Sequence, residues 1–310
     1  MGGDKKQIAS KKSCAYRNDT IIIRQRIHTY FRVKEKPMFL ARCLLFTPAN
    51  RPERFEKAKE LHADGLIIDL EDAISLDEKD SARQQAISYL QRRTPSGRFI
   101  ECLRINSIRT RAGLKDLSAL CDANVRPDML VLPKSESAHE IEIMNEILSP
   151  NTIPVLPLIE TAKGLAQAHQ IAQADNVVGL IFGGADFAAD IGATMDWEPL
   201  YSARAQIVQA AAYGGVAVID VPYLHLQDPD DSNLIAETQK VKAMGFTCKL
   251  SIHPKHIVPI MNTLSPSKEE TEKAKAIVSA YEGAHGNACE LNGKMIDVPV
   301  YRSAKRILSL

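Results

Sequence analysis

The chain has 310 residues, of which 45% are hydrophobic and 25% are charged, the balance of an ordinary globular protein. Its formal net charge of +1 gives no field over the whole molecule, which excludes recruitment to nucleic acid or to a membrane by bulk charge. No apolar run approaches the roughly 20 residues of a membrane-spanning helix, so small molecules and further copies of the chain are the expected partners.

The first 37 residues differ from the rest in carrying ten Lys or Arg against three Asp or Glu, with no clear apolar period. We expect residues 1–37 to be a disordered basic tail, or to precede a start at Met38; the alternative is an organelle transit segment. The six cysteines include no C-x-x-C pair, and no secretory segment follows Met1, so the sequence predicts a cytoplasmic protein.

From Met38 onward, short apolar runs of strand character alternate with longer segments of helical period. The eight runs begin at Arg42, Ala63, Arg98, Pro127, Ile153, Asn176, Val216 and Phe246. Alternating strands and helices in this number favour a (β/α)₈ TIM barrel of the α/β class over residues 38–264. No G-x-G-x-x-G follows the first run, which argues against a dinucleotide-binding open sheet. Residues 265–310 are predicted to form a C-terminal helical appendage.

Polar side chains follow most of the predicted strands, at the end of the barrel where such enzymes place their chemistry. Taken singly, each of them is explained by helix capping or by pairing with a neighbouring charge. Together they are expected to meet at one rim. They are Thr47, Asp69, Glu71, Asp72, Arg104, Asn106, Lys134, Glu160, Asp186, Asp220 and His253.

Two of these acids, Glu160 and Asp186, end adjacent predicted strands and can reach one point. They would repel each other unless a cation lies between them or one is protonated. Hard oxygen ligands without a matching set of His and Cys favour Mg²⁺ over zinc. The glycines before Asp186 let a ligand approach the backbone, so we expect N–H groups near Gly184 and Ala185 to bind a substrate carboxylate.

Arg104, at the predicted end of the third strand, would face this metal as a fixed cation. Its simplest explanation is a salt bridge at the rim. The functional alternative is stabilisation of an oxyanion, particularly an enolate oxygen. A divalent metal, an arginine and a base are suited to breaking a carbon–carbon bond next to a carbonyl.

A series of motifs in this order resembles the citrate lyase beta-subunit-like family of barrel lyases, which includes malyl-CoA and citramalyl-CoA lyases. The resemblance runs from about Arg42 to about Arg302. The motifs are "RCLLFTPAN", "DGLIIDLEDAI", "LRINS", "LVLPKSES", "LIETAKGL", "FGGADFAADIGA", "AIVSAYE" and "GKMIDVP".

The resemblance implies a Mg²⁺-dependent cleavage, or the reverse condensation, of a 3-hydroxy-3-carboxyacyl-CoA such as citramalyl-CoA or malyl-CoA. The products would be acetyl-CoA and a 2-keto acid. Glu160 and Asp186 match the metal ligands of the family, and both, with Gly184, Ala185 and Arg104, would contact substrate.

The remaining roles are also implied by the resemblance. Arg104 matches the arginine at the acyl oxygen. Asp297, in "GKMIDVP", matches an aspartate that relatives deliver into a neighbouring subunit, so it is the candidate acid/base of a homo-oligomer, with a trimer expected. Asp69 is a further catalytic candidate. The residues predicted to surround the metal and its waters are Glu71, Asp72, Lys134 and Asn106.

Three other hypotheses are compatible with the sequence. A citrate lyase beta subunit would act on a citryl-carrier thioester, although the presence of Asp297 favours a free-standing enzyme. A class II aldolase would act on 2-keto acids without CoA, but such enzymes usually carry a histidine base and a different sequence near strand two. A non-catalytic scaffold subunit would not require the intact Glu160, Asp186 and Arg104.

Overall fold

The computed structural model describes residues 39–95 and 97–309, and within them eight parallel strands close into a barrel in chain order. The barrel closes where Leu44 of the first strand pairs with Leu250 of the eighth. This confirms the predicted (β/α)₈ TIM barrel. The strands are β1 (Cys43–Pro48), β2 (Gly65–Asp69), β3 (Ile100–Arg104), β4 (Met129–Leu132), β5 (Val155–Ile159), β6 (Gly179–Phe182), β7 (Ala217–Asp220) and β8 (Cys248–Ser251).

Helices follow the strands and surround the barrel, and many of their ends carry capping residues. Side-chain oxygens of Thr110, Ser137 and Thr161 each accept a hydrogen bond from the backbone N–H three residues later. The helices are α1 (Glu53–Glu60), α2 (Lys79–Arg92), α3 (Arg111–Ala123), α4 (Ala138–Leu148), α5 (Ala162–Gln173), α6 (Gly184–Ile191), α7 (Trp197–Gly214), α8 (Ser232–Met244), α9 (Ile257–Leu264), α10 (Lys268–Gly283) and α11 (Val298–Leu308).

The interior of the barrel determines which side chains reach its mouth. Successive residues of a strand point to opposite faces, so every second residue faces inward. Buried residues inside the barrel include Leu44, Ile67, Cys102, Leu158 and Leu250. The residues two positions beyond Leu44, Ile67, Cys102 and Leu158 are therefore expected to face the mouth at the carboxyl ends. They are Phe46, Asp69, Arg104 and Glu160.

The segment after α9 consists of α10, a hairpin of β9 (Cys289–Leu291) and β10 (Lys294–Ile296), and α11. A reciprocal capping box between Ser267 and Glu270 starts α10. The rings of Tyr281 and Tyr301 stack 4.6 Å apart and join the two helices. The final helix, α11, has 11 residues and begins with Asp297 as its N-cap.

Two predictions concern other parts of the chain. The expected disordered tail, residues 1–37, lies outside the described residues. Within the described residues, no helix has both the length and the apolarity required to cross a membrane.

Candidate active site

A cavity of about 450 Å³ opens at the carboxyl ends of the strands. It is lined by both charged and apolar side chains. The charged side chains are Asp69, Asp72, Arg104, Glu160 and Asp186, and the apolar ones include Phe46, Leu158, Phe182, Val221, Leu224, Leu250 and Ile252. The cavity therefore brings together six of the residues that the sequence singled out, namely these five and Ala185.

Glu160 follows β5 directly and is buried, with 1% of its surface exposed. One carboxylate oxygen accepts a hydrogen bond of 2.6 Å from the backbone N–H of Lys134. Burial, together with repulsion by Glu71 and Asp186, raises the pKa of Glu160 to about 8. The site therefore holds an excess of negative charge, which a bound cation would relieve.

Asp186 lies in the first turn of α6 and is exposed to the cavity. The sequence placed it at the end of a strand, but β6 ends at Phe182 and the helix begins at Gly184. Gly183 allows this turn to lie against Glu160, because a β-carbon at Gly183 would come within 2.6 Å of the Glu160 β-carbon. The close approach requires glycine at this position.

Arg104 binds Asp69 in a two-pronged arrangement at the mouth of the barrel. Its Nε and one terminal nitrogen each donate a hydrogen bond of 2.6 Å to Asp69. The other terminal nitrogen lies 2.9 Å from Glu71 and 3.5 Å from Asp72, and the guanidinium lies over the Phe46 ring. Arg104 is thus oriented on all sides by anions and by an aromatic face.

Asp69 is also held from behind, since its two oxygens accept hydrogen bonds from the backbone N–H groups of Glu71 and Ala73 at 2.8 and 3.1 Å. The three carboxylates at the end of β2 and just after it therefore lie around one arginine. Burial is the main cause that raises the pKa of Glu71, against the opposing effect of Arg104. The buried Glu71 oxygen that lies 2.9 Å from Arg104 forms an ion pair with it, but no hydrogen bond to that oxygen is present within the described part of the chain.

Lys134 links two of the acids. Its ammonium group donates to Glu71 at 2.7 Å and lies 3.9 Å from Glu160. The residue has φ of +51°, in the left-handed region, which is costly for a side chain with a β-carbon. Arg109 donates to the carbonyl of Lys134 at 2.7 Å and helps to hold this backbone in place.

Other predicted site residues lie elsewhere in the structure. The side chain and the backbone N–H of Asn106 both donate to buried Asp116 at 2.7 Å. Asp297 caps α11 by accepting from the N–H of Val300, and it is not among the described residues lining this cavity. Asn106 therefore fixes the start of the loop between β3 and α3. Asp297 does not line the cavity that holds the acids of its own chain.

Asp220 and His253 also differ from the acids of the cavity. Asp220 is fully buried on the outer face of the barrel, where Lys249 and Arg204 lie 2.6 and 3.0 Å away. His253 accepts a hydrogen bond from the backbone N–H of Lys255, the structural role that a lone histidine at a turn suggests. The sequence expected both at the rim with the other polar residues.

The apolar lining of the cavity was not predicted from the sequence. Phe46, Leu158 and Leu250 line it from inward-facing positions of their strands. Strand alternation could have identified these residues, because each of them lies two residues beyond another inward-facing position. Leu224 and Ile252 come from the segments after β7 and β8, where alternation no longer applies.

Comparison with known proteins gives a match to one family. The sequence model of the HpcH/HpaI aldolase/citrate lyase family matches residues 42–254. The chain is 30% identical to human citramalyl-CoA lyase, mitochondrial, over 87% of this chain and 85% of that enzyme. It is 32% identical to the citrate lyase subunit beta of Leuconostoc mesenteroides subsp. cremoris, over 87% of this chain and 93% of that subunit.

Among solved structures, the chain is similar to the protein CitE from Mycobacterium tuberculosis in complex with magnesium, acetoacetate and coenzyme A. The two are 31% identical, with a TM-score of 0.73 over 87% of this chain and 97% of that one. The match extends well beyond the barrel strands.

Proposed function

The chain belongs to the HpcH/HpaI aldolase/citrate lyase family and is an enzyme of the lyase class, and we propose that it cleaves the carbon–carbon bond of a 3-hydroxy-3-carboxyacyl-CoA with Mg²⁺. Citramalyl-CoA and malyl-CoA are the proposed substrates. The observation that carries the proposal is the pairing of Glu160 and Asp186 beside Arg104 in one cavity.

Glu160 and Asp186 fit a magnesium ion by charge and by donor type. Both offer hard oxygen ligands, and burial together with the neighbouring acids raises the pKa of Glu160, so its charged form would be stabilised by a bound cation. Within the described residues, no group of three His, Cys, Asp or Glu could hold a metal. Two protein ligands leave positions for water and substrate, and a bound Mg²⁺ would polarise the substrate oxygens there.

The chemistry assigned to the protein follows from the arrangement of the charges. A base removes the proton of the substrate hydroxyl, and the bond between the hydroxyl-bearing carbon and the carbon next to the thioester breaks. Its electron pair passes to the thioester, and Arg104 stabilises the resulting enolate oxygen. Protonation of the enolate carbon gives acetyl-CoA, and the former hydroxyl carbon leaves as the carbonyl of a 2-keto acid.

We assign Asp69 to holding Arg104 rather than to proton transfer, because its oxygens already accept from the guanidinium and from two backbone N–H groups. Asp297 of a neighbouring copy is the proposed acid/base, which makes a homotrimer part of the proposal. The exposure of Met295 and Val298 beside it supports contact with another chain. Lys134, Glu71 and Asp72 are proposed to orient the metal site.

The citrate lyase beta subunit is the second candidate, supported by the 32% identity to the Leuconostoc subunit. It differs in using a carrier-bound thioester. The cytoplasmic location remains a prediction from the sequence; the human relative is named as mitochondrial.

The proposal is tested by incubating the purified chain with (S)-citramalyl-CoA or malyl-CoA, with Mg²⁺ or with a chelator, and measuring the released 2-keto acid. Release that requires Mg²⁺ supports the proposed lyase. Cleavage of neither thioester, with condensation of free 2-keto acids and aldehydes, would instead indicate an aldolase.

A further inference from the structure

The two carboxylate oxygens of Glu160 lie in different surroundings. Oε1 accepts the 2.6 Å hydrogen bond from the Lys134 N–H. Oε2 lies beside Gly183, where an added β-carbon would come within 2.8 Å of it. Asp186 follows this glycine by three residues, in the first turn of α6. The Lys134 N–H therefore occupies one oxygen of Glu160 and leaves the other for a cation shared with Asp186.

The position of this N–H depends on a strained backbone. Lys134 has φ of +51°, which a residue with a β-carbon adopts only at a cost. Such conformations persist where surrounding contacts hold them. Relaxation of this backbone would move the peptide groups on both sides of Lys134, and the N–H that binds Glu160 would move with them.

Side chains outside the cavity hold this backbone. Arg109, in the loop between β3 and α3, donates through one terminal nitrogen to the Lys134 carbonyl at 2.7 Å. Its other terminal nitrogen is hydrogen-bonded to Glu136, and its Nε lies 3.2 Å from Glu140 in the first turn of α4. Neither Arg109 nor Glu136 is among the described residues that line the cavity, so neither is placed to touch substrate.

Glu136 extends the same network to the other side of Glu160. One of its oxygens accepts a 3.1 Å hydrogen bond from the hydroxyl of Thr161, which directly follows Glu160 and caps α5. The ammonium group of Lys163 lies 3.1 Å from its second oxygen. Arg109 and Glu136 together therefore join the residue that donates to Glu160 with the residue that follows Glu160 in the chain.

We infer that Arg109 is a positioning residue for the metal site. By holding the Lys134 carbonyl, it fixes the N–H that occupies one oxygen of Glu160, and the other oxygen is thereby directed to the metal. The inference rests on the proposed function, in which Glu160 is a metal ligand. The Arg109 side chain is 43% exposed, and exposed ion pairs contribute little to the free energy of unfolding. The effect of Arg109 is therefore expected in metal affinity.

Charge and positioning predict opposite effects of removing this arginine. Arg109→Ala deletes a cation from the surroundings of the metal site, which by Coulomb attraction alone would strengthen the binding of a divalent cation. Loss of the restraint on Lys134 would instead weaken it. Removing a residue that orients a metal ligand typically costs about 10- to 100-fold in affinity, so we expect R109A to raise the Kd for Mn²⁺ about tenfold.

The test titrates Mn²⁺ into each chain and measures the free ion by electron paramagnetic resonance, because Mn²⁺ takes the same carboxylate and water ligands as Mg²⁺. Arg111→Ala is the matched control. It removes the same charge two residues later, from an exposed side chain that forms no hydrogen bond or ion pair within the described part of the chain. R111A should change the Kd less than about twofold, since exposed charges are screened by salt. Circular dichroism at the titration temperature shows whether each variant is folded.

Glycine at position 134 tests whether the strained backbone is the link. Lys134→Gly and Lys134→Ala both lack the ammonium group, but only glycine adopts φ of +51° without cost. Adding R109A should raise the Kd about tenfold in the K134A chain and less than about threefold in the K134G chain. A general loss of stability would act equally in both backgrounds.

Weaker Mn²⁺ binding by R109A that is largely restored in the K134G background would support the inference. Unchanged or tighter binding by R109A, or equal losses in the K134A and K134G backgrounds, would overturn it while leaving the metal site and the proposed lyase function intact. Absence of Mn²⁺ binding by the wild-type chain would refute the proposed metal site and this inference together.

Discussion

Arg104 and Asp69 form two parallel hydrogen bonds of 2.6 Å at the carboxyl ends of neighbouring strands. Since β2 and β3 pair with these residues side by side, the barrel itself sets the position of the guanidinium. The proposed reaction needs this cation at a fixed place, because charge that develops on an enolate is stabilised best by groups already oriented towards it.

The Asp69→Asn variant separates positioning from proton transfer. Asparagine keeps the shape but loses the charge and one acceptor facing Arg104, so we expect kcat to fall about 10- to 100-fold, as for other supporting residues. The measurement is the pH profile of kcat, which should keep its shape. A loss of about four orders of magnitude with a vanished acidic limb would instead make Asp69 the base.

Magnesium binding is expected to depend on pH through Glu160. Its pKa is raised to about 8, so below that pH a proton must leave before the carboxylate can bind the metal. The apparent dissociation constant for Mg²⁺ should increase about tenfold for each pH unit below 8 and level off above it. Calorimetry between pH 6 and 9 measures this dependence.

The sign of the effect on stability is opposite in the metal-free chain. Folding raises the pKa of the Glu160 carboxyl to about 8. The free energy of unfolding therefore falls as pH rises from the unfolded pKa towards 8, because the unfolded chain ionises first. Glu160→Gln should remove both this loss and the pH dependence of Mg²⁺ binding. An unchanged binding profile in that variant would assign the titration to another group.

The strained backbone of Lys134 gives a prediction with a built-in control. Lys134→Gly and Lys134→Ala both remove the ammonium group from Glu71, and both retain the N–H that binds Glu160. Only glycine accepts the φ of +51° without cost, so the glycine variant should be more stable by about 1 kcal/mol in denaturant unfolding. Equal stabilities would mean that the backbone relaxes after substitution.

Strand alternation explains which acids of the site could be predicted from the sequence. Glu160 directly follows the buried strand β5 and Asp220 is the last residue of the buried strand β7, but Leu158 faces into the barrel, and so does Ile219. The first alternation turns Glu160 inward, and the second turns Asp220 outward towards Lys249 and Arg204. The sequence does not distinguish the two acids, because both stand at strand ends and the inward face of each strand is set only when the barrel closes.

Other features depend on contacts distant in the chain. The sequence predicts Asn106 at the rim. The fold instead brings its side chain to Asp116, ten residues later, to which it donates a hydrogen bond. The apolar lining draws on segments around residues 46, 158, 224 and 250 that only the closed barrel brings together. The eight strands were easier to predict, because each is a short local run of apolar residues.

The most direct test of the central claim is Mg²⁺-dependent release of 2-keto acid from citramalyl-CoA by the wild-type chain and by the Glu160→Ala and Asp186→Ala variants. Circular dichroism should show that both variants remain folded. Each variant is expected to lose the activity entirely while the wild-type chain retains it. Activity retained in both folded variants would contradict the assignment of this pair as the metal-binding centre.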